Sequence, residues 1–157
     1  MSRARERLTE ERKSFRRDKP FGFVAKPEQR ADGSTNMMLW KCLVPGKENT
    51  AWQGGSYPVT IRFTEDYPAV PPQCSLPPGF LHPNVYPEGN ICLSILNPDG
   101  WRPSITLKQM LLGIQELLDD PNNGDAAQNE AYELYEYNKT KYRLKVRQQA
   151  LRYPPPQ

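Results

Sequence analysis

The sequence predicts an α+β fold: an N-terminal helix, a four-stranded antiparallel sheet meander and C-terminal helices, in one domain spanning residues 1–157. Three observations predict it. A charged amphipathic stretch comes first, period-two alternation follows, and the strongest helical periodicity comes only after residue 104. Proline makes up 17 of 157 residues, about twice the usual share of roughly 5%, which argues against a long helical bundle and for rigid, extended connections.

The elements follow in order. Residues 3–17 carry Leu8 and Phe15 seven apart on one face, with Arg12, Lys13, Arg16 and Arg17 around the polar side, and Pro20 stops that helix. A first strand is expected over 21–26, a turn at Asp32-Gly33, a second strand over 36–44, and a loop with three glycines from Pro45 to Gly55. The third strand, 57–63, sets Tyr57, Val59, Ile61 and Phe63 on one face and Pro58, Thr60 and Arg62 on the other. The proline-rich run 67–72 suits neither a helix nor a central strand, and a short strand near 73–76 closes the meander. Residues 77–104 show no period, and an irregular stretch of that length inside a small domain is usually functional. Then Thr106 and Gln109 form a capping box, Ile105 and Met110 suit a hydrophobic staple, and Leu107, Met110, Leu111, Ile114, Leu117 and Leu118 form an apolar face. Asp119-Asp120-Pro121 ends that helix, two more are expected over 126–136 and 138–152, and residues 153–156 form a frayed tail.

The formal net charge is +3 but unevenly placed: +4 over residues 1–19, −7 over 20–136 and +6 over 137–157. Basic ends on an acidic body suit an anionic partner at a terminus, the plainer alternative being solvated helix faces. No apolar run is long enough for a membrane span, and the charged start lacks the apolar run of a secretory signal. The three cysteines, 42, 74 and 92, have no zinc-ligand spacing, and one histidine, His82, leaves little for a metal site. An odd number of thiols suits a reducing compartment. Phosphate-binding glycine motifs are absent from the sequence.

The chemistry is expected in HPNVYPEGNICLSIL, residues 82–96, which brings the only His, a Tyr, two Asn and a Cys close together. Turn formers Glu88-Gly89-Asn90 precede Cys92, and Leu93, Ile95 and Leu96 follow, so the thiol sits at a loop edge anchored to the core. Cys42 and Cys74 read as small buried hydrophobes, whereas composition alone leaves Cys92 open between that role and a reactive one.

This run resembles the active-site segment of ubiquitin-conjugating enzymes, in which His-Pro-Asn precedes a catalytic cysteine. RLTEERKSFRRDKPFGFVAKP, MLWKCLVPGK, W-x-GG-x-Y, EDYPxxPP, WRPSITLKQMLLGIQELL and AAQNEAY, in that order, resemble the SUMO-conjugating branch rather than the ubiquitin-specific ones. The resemblance covers nearly the whole chain and implies the ubiquitin-conjugating-enzyme fold. It implies that Cys92 accepts SUMO as a thioester from the SUMO-activating enzyme and passes it to substrate lysines. A thiolate is both a good nucleophile and a good leaving group, so the thioester divides one hard acyl transfer into two easier ones. By the same resemblance Asn84 donates a hydrogen bond to the oxyanion, Tyr86 packs on the incoming lysine, Asp125 orients that lysine, and His82 braces the loop. Asp125-x-x-Gln128 also reads as a helix N-cap. Arg12, Lys13, Arg16 and Lys19 match positions that meet the activating enzyme and a second, non-covalent SUMO. The implied partners are SUMO, its activating enzyme, SUMO ligases and lysine-bearing substrate proteins, with no membrane and no nucleic acid. A monomer of nuclear and cytoplasmic location is implied, with no cofactor of its own, since the activating enzyme uses the ATP.

Several positions depart from that branch. Lys19 stands where His is usual, and Gln73 and Ser75 where the acceptor groove carries lysines that read the acid of Ψ-K-x-E. Glu88 and Asn90 replace a Ser and a Thr, the loop 97–100 is one residue shorter, and Ala126 stands for Pro. A carboxylate at Glu88 opposes acidic acceptors, so a weaker Ψ-K-x-E preference is expected. Three other readings are a ubiquitin-specific conjugating enzyme, a thiol isopeptidase using Cys92, His82 and Asn84, and a non-catalytic interaction module.

Overall fold

The structure, a computed structural model, describes residues 2–122, 124 and 126–157. The element order is α1 (Arg3–Arg17), β1 (Val24–Gln29), β2 (Thr35–Pro45), β3 (Ser56–Arg62), β4 (Gln73–Ser75), a 3-10 turn at Ser94–Leu96, α2 (Leu107–Asp119), α3 (Asn129–Tyr137) and α4 (Lys139–Leu151). The four strands pair antiparallel in sequence order, the meander read from the sequence.

Register follows burial. Trp40, Cys42 and Val44 of β2 and Tyr57, Val59 and Ile61 of β3 alternate into the core, and pairing sets Trp40 opposite Ile61 and Cys42 opposite Val59. Leu8 and Phe15 of α1 and the predicted apolar face of α2 join the same cluster. The capping box at the start of α2 forms as read: Thr106 Oγ1 accepts from the Gln109 N–H, and Gln109 Oε1 accepts from the Thr106 N–H.

Three expectations shift. The first strand begins at Val24, because Gly22 has φ +87° and the Phe23 N–H bonds Pro20 O, making 20–23 a turn. Pro27 lies in this strand at a sheet edge, beside a register shift between Pro27 and Glu28, where a missing N–H is tolerated. The third helix starts at Asn129 rather than 126, and Gln128 is its N-cap without a side-chain capping bond. The N-cap reading of Asp125-x-x-Gln128 falls on Asp125, which lies outside the described residues.

One buried charge ties α1 to α2. Glu11 accepts from the Leu107 N–H at 2.8 Å and from Arg7 Nε at 3.0 Å, while Arg7 donates to Pro103 O and Ile105 O. A carboxylate on the first turn of a helix is favoured by its unpaired amides and dipole.

Candidate active site

Residues 82–92 form a small hairpin that extends the sheet beyond β4. Val85 pairs with Ile91 and Ser75 with Asn90. The Ile91 N–H bonds Cys74 O at 3.0 Å, and the Leu76 N–H bonds Gly89 O at 2.8 Å. The turn closes through Tyr86 N–H to Asn90 O and Gly89 N–H to Tyr86 O. Gly89 is required here: φ is +109°, and a Cβ would stand 2.1 Å from Leu76 O.

Cys92 leaves this hairpin with its N–H bonded to Asn84 O at 2.8 Å. It is half-buried, whereas Cys42 and Cys74 are sealed in the core. Burial pushes the Cys42 thiol up to about 12 and the Cys74 thiol higher still, so neither supplies a thiolate near neutral pH. Behind Cys92, Leu93 is buried, and Leu93 and Ile95 lie so close to Gly113 of α2 that a Cβ there would meet them at 3.5 and 3.3 Å. The sulfur-bearing residue is thus held from both sides while remaining partly exposed.

His82 braces as the sequence suggested. It is wholly buried; its Nε2 donates to Leu117 O at 2.8 Å and lies 3.2 Å from Leu118 O, and its Nδ1 accepts from the Asn84 N–H. Those bonds define a neutral ring with its proton on Nε2, and burial drives its pKa down to about 4. A ring so occupied is no base for Cys92, which removes the geometric ground for a Cys-His isopeptidase.

Asn84 is also wholly buried and grips the chain after α2. Its Oδ1 accepts from the Asn122 N–H and its Nδ2 donates to Asn122 O, both at 2.7 Å. Two more ties join the same regions: the Ala127 N–H to Pro83 O at 2.8 Å, and Gln128 Nε2 to Phe80 O and Val85 O. Asp125 falls between these anchor points in sequence and lies outside the described residues. Asn122 and the ties of Gln128 to Phe80 and Val85 were missed by the sequence reading, and so was Gln149, whose buried amide bonds both the N–H and the O of Leu81. Gln149 stands at helical spacing among the buried Tyr142, Val146 and Ala150 of α4, a polar residue in an apolar row, which was the available signal.

The four residues read as an acceptor groove come together on β4 and the hairpin that leads to Cys92. Gln73 Nε2 donates to Asn90 Oδ1 at 3.2 Å, Asn90 Nδ2 reaches Glu88 Oε1 at 3.4 Å, and Ser75 pairs with Asn90 through the backbone. Tyr86 stands exposed on the same turn. The basic set sits on a different element: Arg12, Lys13 and Arg16 on α1, with Lys19 just after it. Lys13 pairs loosely with Glu10 at 3.6 Å, and Arg12 Nε is buried without a hydrogen-bond partner among the described residues. Lys19 opens a cleft of about 540 Å³ beside Phe21, which is completely exposed and which the sequence reading did not single out. Among the described residues no group of three or more His, Cys, Asp or Glu side chains is arranged to hold a metal.

A sheet edge that carries one partly exposed cysteine on a doubly braced hairpin is suited to carrying an acyl group. The chain belongs to the ubiquitin-conjugating enzyme family, whose sequence profile matches residues 7–150. It is similar to three SUMO-conjugating enzymes. Identity is 56% to SUMO-conjugating enzyme SCE1 of Arabidopsis thaliana, over 96% of this chain and 95% of the relative. It is 54% to Sumo-conjugating enzyme ubc9 of Dictyostelium discoideum, over 96% of each, and 49% to SUMO-conjugating enzyme UBC9 of Caenorhabditis elegans, over 94% and 89%.

Proposed function

We propose that this chain conjugates SUMO. Its Cys92 thiolate attacks the carbonyl carbon of the thioester borne by the SUMO-activating enzyme, whose own thiolate leaves, and SUMO is carried on Cys92. A substrate lysine then attacks that carbonyl, loses a proton and expels the Cys92 thiolate, forming an isopeptide bond. The observation that carries this reading is the contrast among the cysteines: Cys92 alone keeps solvent access, on a hairpin anchored to both β4 and the chain after α2.

The remaining roles belong to the same proposal. The Asn84 amide steadies the developing oxyanion, an effect of about 3 kcal/mol in comparable sites, while its bonds to Asn122 set its position. A free lysine has a pKa of about 10.4, so only about one in a thousand is neutral near pH 7. Tyr86, exposed on the turn, removes water from the incoming lysine, and Asp125 orients it. Arg12, Lys13, Arg16 and Lys19 meet the activating enzyme and a second SUMO, and speed encounter with acidic surfaces. ATP is consumed by the activating enzyme, ligases join the charged form to substrates, and the protein works as a monomer in nucleus and cytoplasm. An odd number of cysteines suits those reducing compartments.

The test is incubation with ATP and, separately, the SUMO and ubiquitin activating enzymes with their modifiers, followed by non-reducing electrophoresis. The expected product is a reductant-sensitive SUMO adduct that is lost in Cys92→Ala. Charging by ubiquitin alone, or an adduct that survives Cys92→Ala, overturns the reading.

A further inference from the structure

A second cleft, of about 1000 Å³, opens between the 49–54 loop, the C-terminal end of α2, and α3 with α4. None of the candidate active-site residues lines it. Its volume is at the upper end for ligand pockets. Leu118, Pro121 and Ala150 give it apolar lining, and Leu151, 82% exposed, stands at its rim.

The charged wall is α4. Lys139, Arg143 and Arg147 line the cleft at i, i+4 and i+8. Lys145 of the same helix is engaged with Glu130 at 2.8 Å, whereas the three cleft cations have no ion pair among the described residues. Lys139 Nζ lies 4.6 Å from the centre of the Tyr135 ring, an aromatic neighbour that leaves its charge unneutralised. Asp119 is the one carboxylate among the described lining residues. Burial raises its pKa, with Asp120 and Glu116 adding to the rise and Lys47 and Arg143 opposing it, so negative charge gathers at the α2 end of the cleft while the α4 wall stays cationic. The hydroxyl of Tyr142, a further lining residue, is buried without a hydrogen-bond partner among the described residues.

Spacing selects the ligand. A rise of about 1.5 Å per residue separates successive cations by about 6 Å along the axis. Alternate side chains of an extended peptide repeat at about 6.6 Å on one face. Acids at every second position therefore meet the three cations in turn, while the intervening residues face the other way, one of them reaching the apolar lining. A nucleic acid backbone would match the charge but leave Leu118, Pro121 and Leu151 unused.

We propose that this cleft docks an extended segment of a partner protein in which Asp or Glu alternates with apolar residues. The probe is a fluorescein-labelled ten-residue peptide alternating Glu with Leu or Val, titrated with the full chain by anisotropy. A peptide of identical composition with its acids in one block, and a single-stranded oligonucleotide of matching charge, are the comparisons. Saturable binding of the alternating peptide is expected, at least tenfold weaker in Arg143→Glu/Arg147→Glu and weakened by salt. Lys141→Glu, on the same helix but not lining the cleft, is expected to bind as the parent does. Circular dichroism of both variants checks that they remain folded, and charging of Cys92 is expected to be unchanged. Absence of saturable binding, equal loss in Lys141→Glu, equal affinity for the blocked peptide, or tighter binding of the oligonucleotide overturns the proposal.

Discussion

The chain contains one histidine, and its burial gives a pH dependence that can be worked out in advance. In the unfolded chain an imidazole titrates near 6.5; in the fold, His82 titrates at about 4. Throughout the interval between those values the unfolded chain binds more protons, so stability is fully present above pH 6.5 and is lost as pH falls toward 4. Between pH 7.5 and 5 linkage predicts a loss of about 2 kcal/mol, roughly a thirtyfold rise in the unfolded fraction. The carboxylates held below their ordinary values do little in this window. Asp18, Asp32 and Glu130 are held below their ordinary values, first by side-chain hydrogen bonds from Lys108, Ser34 and Lys145, so their contributions fade only at lower pH. Asp119, raised by burial, acts in the opposite direction. Urea unfolding followed by tryptophan fluorescence at half-unit pH steps measures the effect. His82→Gln, which keeps an amide donor and acceptor but cannot titrate, is expected to be less stable yet flat over the same range. A parent curve that is level from pH 7.5 to 5, or a slope that persists in His82→Gln, refutes the assignment of a buried neutral ring.

Three further outcomes follow from individual contacts. Glu11→Ala removes the carboxylate shared by the Leu107 amide and Arg7, and is expected to cost roughly 3 kcal/mol in urea unfolding; a cost below about 1 kcal/mol would contradict that tie. Gly89→Ala forces a side chain into a left-handed position against Leu76 O, so protection of the Leu76 and Ile91 amides from hydrogen exchange is expected to collapse, with about 2 kcal/mol of global destabilisation. Glu88→Gln removes the carboxylate from the Gln73–Asn90–Glu88 chain. Transfer to acceptor peptides with an acid two places after the lysine should then rise several-fold relative to neutral peptides, the gain shrinking at high salt; an unchanged ratio would show that Glu88 does not face the acceptor.

Legibility differed between local and distant interactions. The capping box of α2 and the alternation of β3 were readable because each is written within a few consecutive residues. The start of β1 was misplaced because the positive φ of Gly22 turns an otherwise strand-like run, and period-two reading does not register that. The later start of α3 has a long-range cause: Gln128 places its side chain on Phe80 O and Val85 O rather than on its own helix, a choice made by chain 43 and 48 residues away. Within the candidate site, the loop-edge position of Cys92 and the turn before it were readable, whereas the partners of Asn84 and the wholly exposed Phe21 were not.

What sequence alone determined was the order of elements, the faces they bury and the irregular segment that holds the candidate site, because periodicity, caps and turn residues act over one or two turns of chain. Folding decided which thiol stays accessible and which residues hold it. Cys74 and Cys92 lie on paired backbone segments, yet one is sealed beneath the sheet and the other stands past its edge. Burial is a property of everything packed around a side chain, and no local pattern encodes it. The same holds for the row of cations on α4, which becomes the wall of a cleft only when the 49–54 loop and the end of α2 close around it.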